Sequence, residues 1–598
     1  MKLSKLYSNE PLVFKEIKFN SGLNVVLGEI RLAENQKKDV HNLGKSLVGK
    51  LIDYCLLKGK NKHFFLFKYY DIFEDFVFLL EVELLDGSYL TIRRGVKNAS
   101  KISFKKHSER LMDYSELEDE HWDHLNLPFN RSKQLLDGTL NLQALSTWQY
   151  RMILGYLLRT QKDYDDIFQL SKFLSKHADW KPFIASIMGF NGKVIEQHYD
   201  SETELEKKEK NKNDLLKEIG GKPGDISKVS GLLLLKENEL HKKQDLLDSF
   251  DFNEEDREQT SKLVNDIEYN LASLNSERYI KSANWRKVVD SLKEGKISFS
   301  PDDASELFEE AGIFFKDQIK KNFEQLIEFN KAITEERLTY LRIEKEELEN
   351  ELAAINQSIS QLNKERSQAL QFLKETDVFH KFKKTNKDIT SLAADVEILT
   401  RQKETIENIS EIDKNISDCQ DKIKKLKTKI EANVKLQDED KSSLFSAIRL
   451  HYNEIIETVI SRKALLTTPI NSHGHIEFNV SILDAKGKET GASDGNTYKK
   501  LLCIAFDMAM LRAYSTDKFP RFVFHDGAFE SLDDRKKLLL TSTIREYSEF
   551  GIQQIITLID SELPSLKDGT KFRFKDDEIV LLLHDEDNSG QLFMMDPW

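Results

Sequence analysis

At 598 residues the chain is long enough for several domains, and its composition argues against a single compact core. Charged residues make up 32% and hydrophobic residues 39%, a balance typical of chains with long solvated helices. The net charge of −13 means that the average surface repels nucleic acid, so DNA binding would require local basic patches. Cys55, Cys419 and Cys503 form no C-x-x-C pair, which fits a reducing cytosol and excludes a cysteine zinc hook.

The N-terminal part, residues 1–194, is expected to form one lobe of a globular domain. Residues 23–27 are a short apolar run that ends at Gly28, and residues 76–85 and 89–93 flank a turn dipeptide, which predicts a hairpin. The aromatic run 64–78 suits either a base-stacking surface or a sheet core, and the neighbouring strand patterns favour the core. Residues 130–190 are predicted to be helical.

The middle of the chain has the texture of a coiled coil. Residues 195–290 and 319–440 are highly charged and carry apolar residues at three- and four-residue steps, which the second run maintains over several heptads. Residues 291–318 contain glycine and proline and predict a reversal at the tip of an arm. We therefore expect an antiparallel hairpin; a dimeric parallel coiled coil without a hairpin is the alternative.

Residues 441–598 are expected to form a second globular lobe. The pattern predicts an apolar helix at 498–514, short strands at 521–524 and 554–558, and a final hairpin made by 571–574 and 579–583. The aliphatic run 232–235 is too short to span a bilayer and the N-terminus has no signal-peptide core, so a cytoplasmic protein without a membrane partner is expected.

The sharpest local motif is Gly44-Lys45-Ser46, which precedes an apolar helix at 47–57. A phosphate-binding loop needs glycine for close backbone approach, lysine for charge, a hydroxyl for Mg²⁺, and a helix N-terminus that faces the anion. The usual spacing G-x-x-x-x-G-K-[ST] fails, because position 39 is Asp. Gly28 is interpreted as the first glycine, with an insertion of roughly ten residues relative to that motif before position 41.

The second motif is the apolar run 522–524 followed by His525 and Asp526. A strand that ends in aspartate is how a phosphate-loop ATPase places a carboxylate on the magnesium ion. The next residues, Gly527-Ala528-Phe529-Glu530-Ser531-Leu532-Asp533, strengthen this interpretation.

With these motifs the chain resembles the SMC proteins, RecN, RecF and related break-repair ATPases with long arms. The resemblance covers the whole chain in architecture and short motifs in sequence. It is most similar to the YydD-like branch of bacterial SMC-like ATPases, which occur in phage-defence operons of the Lamassu and ABC-three-component kind, through HNLGKS, LIDYCL and FVFHDGAFESLDDR. The fold implied is α/β: an ABC-type head built from both chain termini, with an antiparallel coiled-coil hairpin inserted.

The resemblance also implies ligands, ATP and Mg²⁺, and a role for each matched residue. Ser46, Gln161 and Asp526 would hold or sense the metal, Ser493 and Gly495 would form the signature motif that faces the nucleotide of a second head, and Asp533 would lie in the D-loop. The complete set of implied site residues is Gly28, Asn42, Gly44, Lys45, Ser46, Leu47, Arg93 or Arg94, Gln161, Ser493, Gly495, Asp526, Glu530 and Asp533.

Two departures from the family pattern concern hydrolysis. The glutamate that usually follows the magnesium aspartate, and polarises the attacking water, is Gly527 here. Glu530 and Asp533 are the nearby candidates to replace it. The switch histidine is also missing, since Leu558 follows Thr557. These departures predict slow hydrolysis, or hydrolysis completed by a partner.

Two further patterns are ambiguous. His473 and His475 have the spacing of a ligand pair, but without Cys or His nearby in sequence the pattern favours a loop over a metal site. The basic run 422–429 suits either DNA contact or a solvated helix face, and the heptad context favours the face.

Two functional hypotheses follow. In the first, two heads dimerise around ATP and couple closure to DNA binding, as the ATPase subunit of a phage-defence complex with effector and accessory subunits, or in DNA repair. In the second, the protein is a nucleotide-gated scaffold that hydrolyses little and restrains a separate effector such as a nuclease. A membrane-transporter ATPase fits poorly, because such subunits lack a long arm.

Overall fold

The computed structural model describes residues 1–32, 34–35, 43–145, 147–173, 176–218, 226–249, 254–294, 317–371, 377–491, 496–566, 568–596 and 598. Its strands, in chain order, are β1 (Lys2–Ser8), β2 (Ile17–Lys18), β3 (Leu23–Glu29), β4 (Val77–Glu83), β5 (Tyr89–Gly95), β6 (Lys101–His107), β7 (His124–Pro128), β8 (Leu158–Arg159), β9 (Ala464–Thr467), β10 (Asn479–Leu483), β11 (Glu489–Thr490), β12 (Phe522–Asp526), β13 (Gln553–Ile559) and β14 (Ile579–His584).

The longer helices are α1 (Lys45–Cys55), α2 (Phe129–Leu140), α3 (Tyr150–Leu157), α4 (Lys181–Ile187), α5 (Gly192–Glu218), α6 (Ile226–Asp248), α7 (Glu254–Glu294), α8 (Asp317–Gln371), α9 (Asp377–Glu439), α10 (Leu444–Ile460), α11 (Asn496–Ala513) and α12 (Asp534–Glu549). Single-turn helices lie at Phe65–Lys68 and Tyr70–Phe73. Contacts divide the chain into two compact units, Met1–Leu205 with Asp418–Trp598, and Glu206–Ser417.

A parallel sheet from both ends of the chain forms the centre of the first unit. Its strand order is β14-β3-β13-β12-β8, and every neighbouring pair runs parallel. Strands buried on both faces read as continuous apolar runs, and Val25, Val26, Val523 and Phe524 are accordingly buried. The carboxyl ends of β3 and β12 therefore meet at one edge of the same sheet.

Helix α1 packs against this sheet through an apolar face that includes Val48, Leu51 and Ile52. Gly49 permits the close approach, because a Cβ atom there would lie 2.5 Å from the Phe524 ring on β12. The helix that begins at Lys45 is thus fixed directly against the strand that ends at Asp526.

A six-stranded antiparallel sheet, β2-β1-β4-β5-β6-β7, lies in the same unit. The predicted hairpin is confirmed as β4 and β5, with Gly87 at a φ of 81° in the turn. The aromatic run is core, as the pattern favoured: Phe73, Phe76 and Phe78 are buried and pack around Phe593 from the C-terminal end.

The expected final hairpin is wrong. Strand β14 pairs in parallel with β3, and Lys571 instead forms an isolated bridge with Ser565. The apolar pattern identified the strand, but its partner lies more than 500 residues away, and local turn chemistry holds no information about such a pairing.

The second unit consists of long helices whose ion pairs define their directions. Lys236 on α6 pairs with Asp395 on α9, and Lys243 pairs with Asp388. The partner number falls as the residue number rises, so α6 and α9 run antiparallel.

Helix α7 runs in the opposite sense to α6. Its Glu268 accepts a hydrogen bond from Thr390, and its Ser276 donates one to Glu397. Both numbers rise together, so α7 runs parallel to α9.

Helix α8 is antiparallel to α7, since Arg366 pairs with Glu268 and Lys281 pairs with Glu351. The chain therefore reverses between α6 and α7, between α7 and α8, and between α8 and α9. This differs from the single reversal expected at 291–318. Heptad spacing identifies the apolar face of each helix but does not specify the direction of its partner.

Candidate nucleotide site

The N-terminus of α1 opens onto a polar cavity. Gly44 precedes the helix with a φ of 95°, a left-handed conformation that suits glycine, and Lys45 and Ser46 start the first turn. The cavity, of about 330 Å³, is lined by Leu43, Gly44, Lys45, Ser46, Leu47, Lys50, Tyr69, Gln591, Phe593 and Trp598. Free backbone N–H groups at a helix start, together with lysines, favour an anion.

Lys45 faces a group of carboxylates. Burial lowers the pKa of Lys45, while the negative charges of Glu562, Asp526 and Glu530 act in the opposite direction. Gly28 lies beneath this lysine, and a Cβ on Gly28 would lie 3.1 Å from the Lys45 Cδ atom. The first predicted glycine and the predicted lysine are therefore in contact range of each other, across the insertion.

Asp526 is buried at the end of β12, which is separated from β3 by one intervening strand. Strand β13 lies between them, and its Thr557 stands opposite Asp526 while Ile559 stands opposite Gly28. Two strand spacings separate β3 from β12, which is about 10 Å. The Thr557 hydroxyl donates to Asp526 Oδ1 at 2.6 Å and accepts from the Gly527 amide at 3.0 Å.

Glu530 occupies the space beside Gly527 where a side chain would otherwise be. Gly527 has a φ of 67°, and a Cβ atom there would lie 2.3 Å from Glu530 Oε1. Gln161 Nε2 donates to the same Oε1 at 2.9 Å, and Lys500 Nζ donates to Glu530 Oε2 and to the Gly527 carbonyl. A carboxylate that accepts hydrogen bonds from a lysine and an amide is held in a fixed position.

A buried ionic network supports both Gln161 and Asp526. Arg159 Nε donates to Asp507 Oδ2 at 2.6 Å, and His525 Nε2 lies 3.2 Å from the same oxygen. All three side chains are fully buried. Burial lowers the pKa of His525, whose hydrogen bond to Asp507 acts in the opposite direction. Arg159 also donates to the carbonyls of Asp163 and Ile167, and so fixes the loop that carries Gln161.

The remaining predicted residues fall into four groups. Asp533 caps α12, accepting from the Lys536 amide at 3.0 Å. Arg93 pairs with Asp119 at 3.2 Å and lines a separate cavity of about 200 Å³. The expectation that Arg93 lies at the Lys45 cavity is therefore not met. Arg94 is buried at the other end of α1, where it donates to the Tyr54 carbonyl. Asn42, Ser493 and Gly495 lie outside the described residues.

Several site residues were missed at the sequence level. Lys500, Thr557 and Glu562 reach the site through strand register and helix placement, for which a local motif gives no signal. Asp507 did carry one, because it is a lone charge within an apolar segment, and a buried charge requires a partner. Tyr69 and Trp598 are far apart in the sequence, but both line the cavity.

Comparison with known proteins gives a family match over part of the chain. Residues 455–597 match the family model described as "Uncharacterised protein conserved in bacteria (DUF2326)". No curated protein matches the sequence.

Among solved structures the chain is similar to SMC head domains. A head with a coiled coil and joint from Pyrococcus yayanosii is 15% identical, with 96% of this chain and 98% of that one covered and a TM-score of 0.35. A head with an extended coiled coil, bound to the C-terminal domain of ScpA and derived from Pyrococcus furiosus, is 13% identical, with coverage of 94% and 90% and a TM-score of 0.33. Searched over its described residues, the chain has no helix long and apolar enough to span a bilayer.

Proposed function

We propose that the first unit is an ATPase head that binds Mg·ATP at the start of α1. The observation that carries the proposal is the shared parallel sheet: β3 leads to Gly44-Lys45-Ser46, β12 ends at Asp526, and only β13 lies between them. Lysine side chains from the N-terminal part of the chain and a carboxylate from the C-terminal part thus lie at the same edge of the sheet.

The residues fit such a ligand by charge and by shape. Lys45, Lys50 and the first amides of α1 suit phosphate, and Ser46 and Asp526 offer the oxygen ligands that Mg²⁺ prefers. Tyr69 and Trp598 line the same cavity and offer aromatic faces for a base. The bound nucleotide would supply the anhydride bond to be cleaved, and Mg²⁺ would neutralise its phosphates.

Glu530 is proposed as the general base in place of the missing glutamate. Its carboxylate lies where a residue at 527 would project, and Gln161 and Lys500 hold it there. It would accept a proton from the attacking water, and Gln161 would orient that water. Arg159 and Asp507 would hold the loop that carries Gln161 in position without contacting the substrate.

Removal of the Lys45 charge tests nucleotide binding. Loss of two charge-assisted hydrogen bonds costs about 3 kcal/mol, so Lys45→Ala is expected to weaken ATP binding by about 100-fold. Isothermal titration calorimetry measures the affinity. Lys18→Ala, which removes an exposed lysine paired with Glu16, is the control and should bind normally. Equal affinities in wild type and Lys45→Ala would refute the proposal.

A nucleotide-gated scaffold with little hydrolysis is the second candidate. The observation that favours it is the engagement of both Glu530 carboxylate oxygens, one by Gln161 and one by Lys500, which hinders their contact with an attacking water. Steady-state ATP turnover with and without DNA separates the candidates. Brisk, DNA-stimulated hydrolysis would eliminate the scaffold, and slow turnover unchanged by DNA would favour it.

The wider role is proposed from the sequence resemblance. It includes head dimerisation with Ser493 and Gly495 facing the partner's nucleotide, DNA binding, a cytoplasmic location, and control of an effector in an anti-phage complex. The two solved heads bound to parts of ScpA are SMC heads in complex with a partner. Phage challenge of host cells with and without the gene tests the defence role.

A further inference from the structure

A cluster of two histidines and one glutamate lies away from the nucleotide site, within the first unit. His198 and Glu202 stand one turn apart on α5, and His475 belongs to the loop that precedes β10. One ligand atom from each of the three lies within 4.8 Å of the others. The sequence spacing had directed attention to His473 and His475, and the structure brings His475 to His198 instead.

The distances resemble those of a coordination shell. Glu202 Oε2 lies 3.2 Å from His475 Nε2 and 3.7 Å from His198 Nδ1. Zinc bound tetrahedrally at about 2.0–2.1 Å separates neighbouring ligand atoms by about 3.3 Å, so Glu202 already lies near coordination spacing from a nitrogen of each histidine.

His198 has an unmet bonding requirement. Its side chain is fully buried, and neither ring nitrogen has a hydrogen-bond partner among the described residues. A buried imidazole without partners is costly, and coordination of one nitrogen would offset part of that cost.

The surroundings hold the cluster in place. The His475 ring stacks on Tyr199 with 4.5 Å between centroids. The Asn471 side chain accepts a hydrogen bond from the His475 amide at 3.1 Å, and Gly474 packs on the stem of Lys427. Lys427 and Lys181 add positive charge that opposes a cation, and Lys181 is itself paired with Glu477.

We propose that His198, Glu202 and His475 bind a zinc-class divalent cation, with water as the fourth ligand. Two imidazoles and one carboxylate suit zinc far better than magnesium or calcium. The cation fastens the early turns of α5, the helix by which the chain leaves the first unit, to the loop before β10. This role is structural and independent of ATP.

Metal binding by the full-length protein tests the proposal. Protein stripped with EDTA and dialysed is titrated with Zn²⁺ alone in competition with a chromogenic chelator, and with Co²⁺ alone for its visible absorption bands. We expect one equivalent with tetrahedral Co²⁺ spectra, and a higher melting temperature with Zn²⁺. Loss of the equivalent is expected in His198→Asn and His475→Asn.

Matched variants distinguish this site from others. Asp526→Asn, at the proposed nucleotide site, and His473→Asn, an exposed histidine two residues from His475, should both retain the equivalent. Glu202→Gln keeps the size of a half-buried side chain and covers the case in which the histidine variants fail to fold; its zinc affinity should fall by at least about tenfold. Unchanged zinc binding in Glu202→Gln, or equal loss in His473→Asn, would overturn the proposal.

Discussion

Two segments at the same edge of the parallel sheet, the start of α1 and the turn after β12, differ in how many contacts their polar groups make within the protein. The start of α1 carries Lys45 and opens onto a cavity. In the turn after β12, Thr557 holds Asp526, while Gln161 and Lys500 hold Glu530. The start of α1 thus presents cationic and N–H groups to a cavity, whereas the turn after β12 holds its carboxylates through internal contacts.

In the proposed ATPase head, this difference assigns nucleotide binding and hydrolysis to separable sets of residues. Binding would rely on the cations and amides at the start of α1. Hydrolysis would rely on Glu530, three residues after the usual position of the catalytic glutamate, where Gly527 leaves room for it. Changes to the turn after β12 should therefore alter turnover more than affinity.

The largest expected effect is the loss of ATP turnover when Glu530 is replaced. Glu530→Gln removes the proposed base and should lower ATP hydrolysis by about 100- to 10,000-fold, with little change in ATP affinity. Phosphate release and calorimetry measure the two quantities. Glu562→Gln is the matched variant, because Glu562 also faces Lys45 yet is engaged by the Ile559 amide. The assignment would be reversed if Glu562→Gln lost turnover and Glu530→Gln kept it.

The next effect is on stability, through the network beneath the turn after β12. Arg159→Met leaves the buried Asp507 without its arginine partner, so the free energy of unfolding should fall by about 3–5 kcal/mol. Urea denaturation followed by tryptophan fluorescence measures the change. The double variant Arg159→Met with Asp507→Leu should recover part of the loss. An unchanged midpoint in Arg159→Met would show that the network contributes little.

The smallest expected effect is that of replacing Gly527 by alanine. Both Gly527 and Gly87 have positive φ, but a Cβ at Gly87 meets open space. Gly87→Ala should cost about 1–2 kcal/mol of stability from backbone strain alone. Gly527→Ala should cost at least as much and also lower turnover, because Glu530 must move. Equal turnover in Gly527→Ala and wild type would show that the position of Glu530 does not matter.

Local patterns predicted the elements of the site better than their assembly. The Leu-Asn-Val-Val-Leu run and the Phe-Val-Phe run are apolar enough to be buried strands wherever they occur, and the glycine and aspartate that end them were found for that reason. The interpretation of Gly28 as the first glycine of the loop stays a prediction, and Gly28 lies close to Lys45. The mixed α/β class was implied by the family resemblance that these motifs carry.

Pairings at long range were beyond local patterns. The hydroxyl of Thr557 reaches Asp526 only because β13 lies between β3 and β12, and the partner of β14 is likewise set by the whole sheet. In the second unit the heptads give each helix an apolar face, yet the directions of the helices are seen only in contacts such as the ion pair of Glu268 with Arg366, which no heptad pattern specifies.

The most direct test of the central claim measures ATP affinity with and without Mg²⁺ in wild type and Asp526→Asn. If residues from both ends of the chain enclose one magnesium-bound nucleotide, Mg²⁺ should strengthen ATP binding in wild type. Asp526→Asn should abolish that gain while retaining metal-free binding. An equal magnesium-dependent gain in both proteins would contradict the account.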